Sequence, residues 1–141
     1  DKTSDLVVKE AQNGDVLQNG IALVAPGGYH TVVDSDHKIS LNQEPKRFGV
    51  RPAVNVTMIS ATEVYGGDVI GILLSGMGHD GGFGMKSIKK RGGHTIVQNK
   101  ETCVIFGMPK SVIDLDAADF VLPLDDIPKK IAMEVQALVW E

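Results

Sequence analysis

A single cysteine, Cys103, occurs in the chain. That excludes an internal disulfide and fits a reducing compartment, where a lone thiol is either a packed side chain or a nucleophile. Its neighbours in TCVIFGMP are apolar, so packing is the expected role. Long hydrophobic runs are also missing: the longest, at 69–74 and 21–26, fall far short of the ~20 residues a membrane span requires. No basic, apolar and small-residue leader is read at the start, so a cytoplasmic protein without membrane insertion is expected. Positive charge is not in excess. With 14 Lys and Arg against 18 Asp and Glu the net charge is −4, and no basic patch points to nucleic acid. The four histidines show no H-x-x-x-H spacing and no carboxylate cluster, so neither a metal nor another cofactor is expected.

What is present is an ordinary globular composition, 43 % hydrophobic and 23 % charged over 141 residues, which suits one domain with a substantial core. No repeat, linker or low-complexity tract divides residues 1–141. LVVKEA reads as a short strand and IALVAPGG as a buried strand ending in a loop. YHTVVDSDHKISLN carries two alternating runs around 34–36, a hairpin signal. In PAVNVTMISATEVYGG, Val54, Met58, Ile59, Ala61 and Val64 recur on a helical period, with Pro52 suited to a first turn and Gly66 and Gly67 to an end. Residues 69–74, apolar without alternation, predict a fully buried strand. A helix over 83–91 stopped by Gly92 and Gly93, a strand HTIVQ, a short helix over 110–115, a strand DFVLP and an amphipathic helix over 125–138 complete the pattern. Strands separated by helices predict an α/β fold: a mostly parallel sheet with helices on both faces, Rossmann-like or flavodoxin-like in layering, with one β-hairpin.

In such sheets function collects in loops at the carboxyl ends of strands. GMGHDG lies there, after the apolar run and before a helix, and it spells G-x-G-x-x-G. A dinucleotide site is therefore one hypothesis, with Glu101 near where a ribose-binding acid would be sought. Asp80 opposes it, because a fixed negative charge sits where a pyrophosphate needs free N–H groups. A second hypothesis makes Asp80 the point of the loop. Gly76, Gly78, Gly81 and Gly82 permit sharp turns and exposed N–H groups, so the carboxylate could orient a histidine while adjacent amides stabilise an oxyanion. A third reading has Asp80 merely cap the helix that starts near Gly82.

The string LLSGMGHDGGFGMKSIKKRGGHTIVQNKETCVIFGMPKSVIDLDAADFVLPLDDI resembles the carboxy-terminal half of the CheB-type protein-glutamate methylesterases of chemotaxis. KEAQNGDVLQNGIALVAPGGYH and VRPAVNVTMISATEVYG fit the same pattern, so the resemblance covers nearly the entire chain. It implies a carboxylic ester hydrolase with a Ser-His-Asp triad acting on methylated chemoreceptor cytoplasmic domains, with glutamine deamidation as a second activity. It also implies that Asp80 is the triad carboxylate and that the Met77 backbone N–H faces the oxyanion. The family's serine motif and Gln-His pair are not found in this sequence. The expectation is therefore a catalytic domain truncated at its N-terminus and inactive alone, with an exposed sheet edge that invites dimerisation. A receiver domain often precedes this domain in the family, which makes one a candidate part of the parent chain.

Other residues are weighed on their own chemistry. Ser75 in ILLSGMG is not in a G-x-S-x-G setting and is expected to bond backbone. His79, next to Asp80 in sequence, should point elsewhere. His30 in APGGYH and Arg51 are secondary candidates for substrate binding, Arg51 through recognition of an acidic surface. His37 and His94 are expected to be structural or exposed, and FGMP to serve packing and a forced turn. A non-catalytic receptor-binding or scaffold protein and a nucleotide-binding domain remain the alternatives.

Overall fold

The structure is a computed structural model that describes residues 5–140, with side chains described through residue 137. Four strands come first, β1 (Val7–Glu10), β2 (Ile21–Val24), β3 (His30–Val33) and β4 (Ile39–Asn42), followed by helix α1 (Val54–Tyr65). Then β5 (Ile70–Leu73), α2 (Gly82–Lys90), β6 (His94–Gln98), α3 (Gly107–Asp114), β7 (Phe120–Leu122) and α4 (Ile127–Trp140) alternate.

β5, β6 and β7 form a parallel sheet in that order, with Ile72 opposite Ile96 and Val97 opposite Val121. Side chains alternate along β6. Val97 joins Leu73, Met85, Ile88, Val112 and Ala117 in a core under α2 and α3. On the other face α4 meets the sheet, with Lys130 Nζ 3.8 Å from the Phe120 ring centre and Glu134 3.3 Å from His94 Nδ1. Helices thus cover both faces, as the strand-helix alternation predicts.

The remaining strands stand apart from that sheet. β1 and β2 pair in parallel only with each other, β3 and β4 form the antiparallel hairpin, and among the described residues neither pair joins β5. Alternating strand and helix signals fix the direction of strands but not which become neighbours. The buried strand is also not the one expected. β6, flanked on both sides, is almost wholly buried, whereas β5 at the sheet edge alternates buried and half-buried, and β2, paired on one side, exposes Val24.

Two helix starts move. α1 begins at Val54, leaving Pro52 outside it in a cis Arg51–Pro52 bond. α3 begins at Gly107, so Pro109 falls in its first turn, where no N–H is needed. The buried face of α1 is more polar than its periodicity suggests. Val54 and Met58 pack on the core under α2, and Ala61 and Val64 pack on a second cluster around Ala11, Val33 and Ile39. Between them Ser60 and Thr57 face the hairpin: Ser60 Oγ accepts the Val33 N–H at 2.9 Å, and Thr57 Oγ1 donates to Thr31 O at 2.7 Å. Ile59, counted in the apolar period, is exposed.

α1 and α2 cross closely because Gly84 has no side chain. A Cβ there would lie 2.7 Å from Met58 Cβ, an atom rooted in the opposing backbone. Gly84→Ala is therefore expected to destabilise the chain by about 1–3 kcal/mol through overpacking, even though alanine is favoured over glycine inside a helix by about 1 kcal/mol. Urea unfolding measures the balance; a stabilised variant would mean that the helices separate at little cost.

Candidate functional site

The Asp80 side chain is 8 % exposed and turns inward, away from the loop that carries it. Its carboxylate accepts the Val54 N–H at 2.6 Å and the Asn55 N–H at 3.0 Å. These are first-turn amides of α1, which have no intrahelical acceptor. α1 has no side-chain cap of its own at Ala53 and no acid in its first turn, so Asp80 places its negative charge at the positive end of a helix 25 residues away in sequence. The cap reading thus holds in part, but on α1 rather than on the helix starting at Gly82. A carboxylate has about four acceptor positions; two are used here, which leaves capacity for an imidazole N–H.

The contact is reciprocal. Asn55 Oδ1 accepts the Gly81 N–H at 3.0 Å and the Gly84 N–H at 2.7 Å, and these are the N-terminal amides of α2. Gly81 adopts a left-handed φ of 100° and has no side chain with which to cap α2 itself. A phosphate at this helix end would need those same two amides. Asn55 already occupies them, and Asp80 lies beside them, which removes the basis of the dinucleotide hypothesis. Glu101 lies exposed in a 3-10 turn, Lys100–Thr102.

The start of the loop is clamped elsewhere. Ser75 Oγ accepts the Ile105 N–H at 3.0 Å and donates to Ile105 O at 3.1 Å, while the Ser75 N–H donates to Gln98 Oε1 at 2.8 Å. The Gly76 N–H donates to Ile105 O and Gly76 O accepts the Met108 N–H. Ser75 therefore bonds backbone, as its setting suggests. Between this clamp and Asp80 the tip projects: Met77 is 80 % exposed, Gly78 and His79 are exposed, and the Met77 N–H has no hydrogen-bond partner among the described residues.

The other candidates are placed as follows. His30 is 2 % exposed; its Nδ1 accepts the Ala53 N–H at 3.3 Å, so its Nε2 carries the proton toward Pro45 O at 2.9 Å. It holds the start of α1 to the segment after the hairpin. Arg51 is half-buried and donates through Nη1 to Gln43 O and Glu44 O. His37 stacks obliquely on Tyr65 and bonds its hydroxyl at 2.9 Å, and His94 pairs with Glu134. Cys103 is half-buried, and burial pushes its thiol above the ordinary range, with the Ser75 hydroxyl pulling it back in part.

Sequence reasoning missed Asn55 and the aromatic pair beside it. Phe48 and Phe83 are exposed and stacked, with centres 6.4 Å apart, and with Asn55 and Ile59 they line a groove of about 780 Å³ between α1, α2 and the 46–48 segment. A polar amide in the first turn of VNVTMI, flanked by Val54 and Val56, was the available signal for Asn55.

The sequence pattern of the CheB methylesterase family matches residues 1–131. The protein-glutamate methylesterase/protein-glutamine glutaminase of Pyrococcus abyssi is 45 % identical over 98 % of this chain, which spans 38 % of that relative's length. The Symbiobacterium thermophilum protein of the same name is 46 % identical over 96 % of the chain and 37 % of its own length. The crystal structure of the Thermotoga maritima CheB methylesterase catalytic domain superposes with a TM-score of 0.87 at 44 % identity, covering 92 % of this chain and 70 % of that one. The chain thus spans well under half the length of these curated relatives.

Ser75→Ala should lower stability by about 1 kcal/mol, the net worth of one hydrogen-bonding hydroxyl, and a serine-directed phosphonate should leave Ser75 unlabelled; rapid labelling would show a free, activated hydroxyl. Because the Cys103 thiol is held above its usual range, its thiolate fraction is reduced near pH 8. Iodoacetamide should alkylate it more slowly than an unstructured cysteine peptide, with the rate rising toward higher pH.

Proposed function

The chain belongs to the CheB methylesterase family, and from that footing we propose that its parent protein is a cytoplasmic chemotaxis enzyme that hydrolyses glutamate γ-methyl esters on chemoreceptor cytoplasmic domains. Glutamine deamidation by the same site is part of the proposal. The observation that carries it is the division of labour in one short loop: Asp80 is locked inward with acceptor capacity to spare, and Met77 is held outward with its N–H free.

In the proposed mechanism a serine oxygen attacks the ester carbonyl while a histidine takes the serine proton. Asp80 holds that histidine's other N–H and faces the imidazolium, and the Met77 N–H donates to the tetrahedral oxyanion. Collapse expels methanol, which takes its proton from the histidine. Water, deprotonated by the same histidine, then releases the glutamate carboxylate and restores the serine. The serine and histidine belong, in this reading, to the part of the parent protein outside these 141 residues, so that residues 1–141 form most of a catalytic domain without its nucleophile. Two features support that assignment. Ser75 is committed to Ile105, and the outer edge of β5 has no strand beside it among the described residues, as a sheet awaiting further strands would. The same free edge would pair two copies of the chain when nothing else covers it.

The test is Asp80→Asn in the full-length parent. Methanol release from methylated receptor membranes should fall by several orders of magnitude, with about 10⁴ as the precedent for an orienting aspartate. The melting temperature will also fall, because Asp80 caps α1 and a cap is worth about 1 kcal/mol. Stability loss alone therefore decides nothing. Turnover that is kept in the remaining folded protein would reduce Asp80 to a helix cap and end the triad assignment.

A further inference from the structure

We propose that Asn55 is the positioning residue for Asp80, fixing where the loop holds both the carboxylate and the Met77 N–H; this rests on the esterase reading above. Asn55 is 6 % exposed and grips the Asp80 segment twice. Its backbone N–H donates to Asp80 Oδ1, and its side-chain oxygen accepts from Gly81, the residue that follows, and from Gly84 one turn on. Both side-chain partners are N–H donors, so the atom facing them is the amide oxygen.

Residues 76–80 are consequently suspended between two anchors. Ser75 and Gly76 tie the near end to Ile105, and Asn55 ties the far end to α1. With the second anchor gone, Gly81 and Gly84 would keep buried, unpaired amides, and the α2 N-terminus would shift to find acceptors. Asp80 and Met77 would move with it, and a displacement of about 1 Å in a positioned group costs on the order of 10²-fold in rate. Asn55 also lines the groove beside Phe48 and Phe83, and its Nδ2 has no partner among the described residues, so a direct role as a donor to substrate is the competing explanation.

The experiment uses the full-length protein with Asn55→Leu, Asn55→Asp, Asp80→Asn and the Asn55→Leu/Asp80→Asn double variant. Methanol release from methylated receptor membranes and amide exchange at Gly81 and Gly84 are read for each. Asn55→Leu should lower kcat on the order of 10²-fold with KM little changed, and should lose exchange protection at both glycines. Asn55→Asp keeps an acceptor at the same reach and removes the Nδ2 donor, and it should recover most of kcat and the protection. In the Asp80→Asn background Asn55→Leu should cost less than it does alone, because the carboxylate's share of the loss is already gone and only the displacement of the Met77 N–H remains.

Full kcat in Asn55→Leu overturns the proposal. So does an Asn55→Asp variant as slow as Asn55→Leu with protection intact, since that result makes Nδ2 the working group. Should Asn55→Leu fail to fold, Asn55→Ser carries the same comparison with a shorter acceptor. If the unaltered parent releases no methanol, the esterase reading falls by itself. Exchange at Gly81 and Gly84 then still decides the anchor: protection lost in Asn55→Leu and kept in Asn55→Asp supports it, and unchanged protection overturns it.

Discussion

Two helices that cannot cap themselves cap each other, and the arrangement of the molecule around its loop follows from that exchange. Ala53, the capping residue of α1, has no side-chain acceptor, and Gly81, the capping residue of α2, has no side chain. Asp80 supplies oxygens to one and Asn55 to the other, over four hydrogen bonds of 2.6–3.0 Å among largely buried groups. Hydrogen bonds to a charged group contribute about 1.5–3 kcal/mol, and a buried polar group left without its partner costs a similar amount. The pair is therefore all or nothing. To bring the helix ends within reach the axes must cross closely, which is why position 84 has no room for a side chain.

From this crossing the rest of the packing is assembled. α1 lies between two apolar clusters, with Met58 in one and Ala61 and Val64 in the other, and so joins the hairpin to the parallel sheet. The join is polar where it must be exact in register: Ser60 and Thr57 bond the backbone of β3, and His30 at the start of β3 accepts the Ala53 N–H just before α1. These groups bury without penalty because each finds a backbone partner. The functional consequence is stiffness. A short loop with exposed glycines would ordinarily be mobile, yet its two ends are bonded to different elements, so only the tip around Met77 is unconstrained by hydrogen bonds.

Membership of the CheB methylesterase family and the groove that Asn55 lines give the constraint the meaning proposed above. A carboxylate fixed to a helix end does not need to reorganise when charge develops on a neighbouring imidazole, and a preset amide donor does not need to turn toward an oxyanion; preorganisation of that kind is where electrostatic catalysis draws its strength. The stacked Phe48 and Phe83 present apolar surface a short distance from Asn55, which places a sticky wall next to the proposed chemistry.

The sequence by itself determined the order and kind of nearly every element, the parallel character of the β5-β6-β7 sheet, the hairpin, and the glycine-rich loop before α2. Each of those is written within a few residues, as period, β-branching or a glycine at a turn. It also marked Ser75 as a backbone-bonding residue and Asp80 as the residue to watch. Only the tertiary structure decided that Asp80 caps α1 rather than its own helix, that Asn55 answers it, that His30 is buried against Ala53 and that β1 and β2 stand apart from β5. Those facts depend on which helix ends meet and which strands become neighbours across 23 or more residues of chain. No local pattern encodes such a meeting, because it is selected by the burial of all the elements at once.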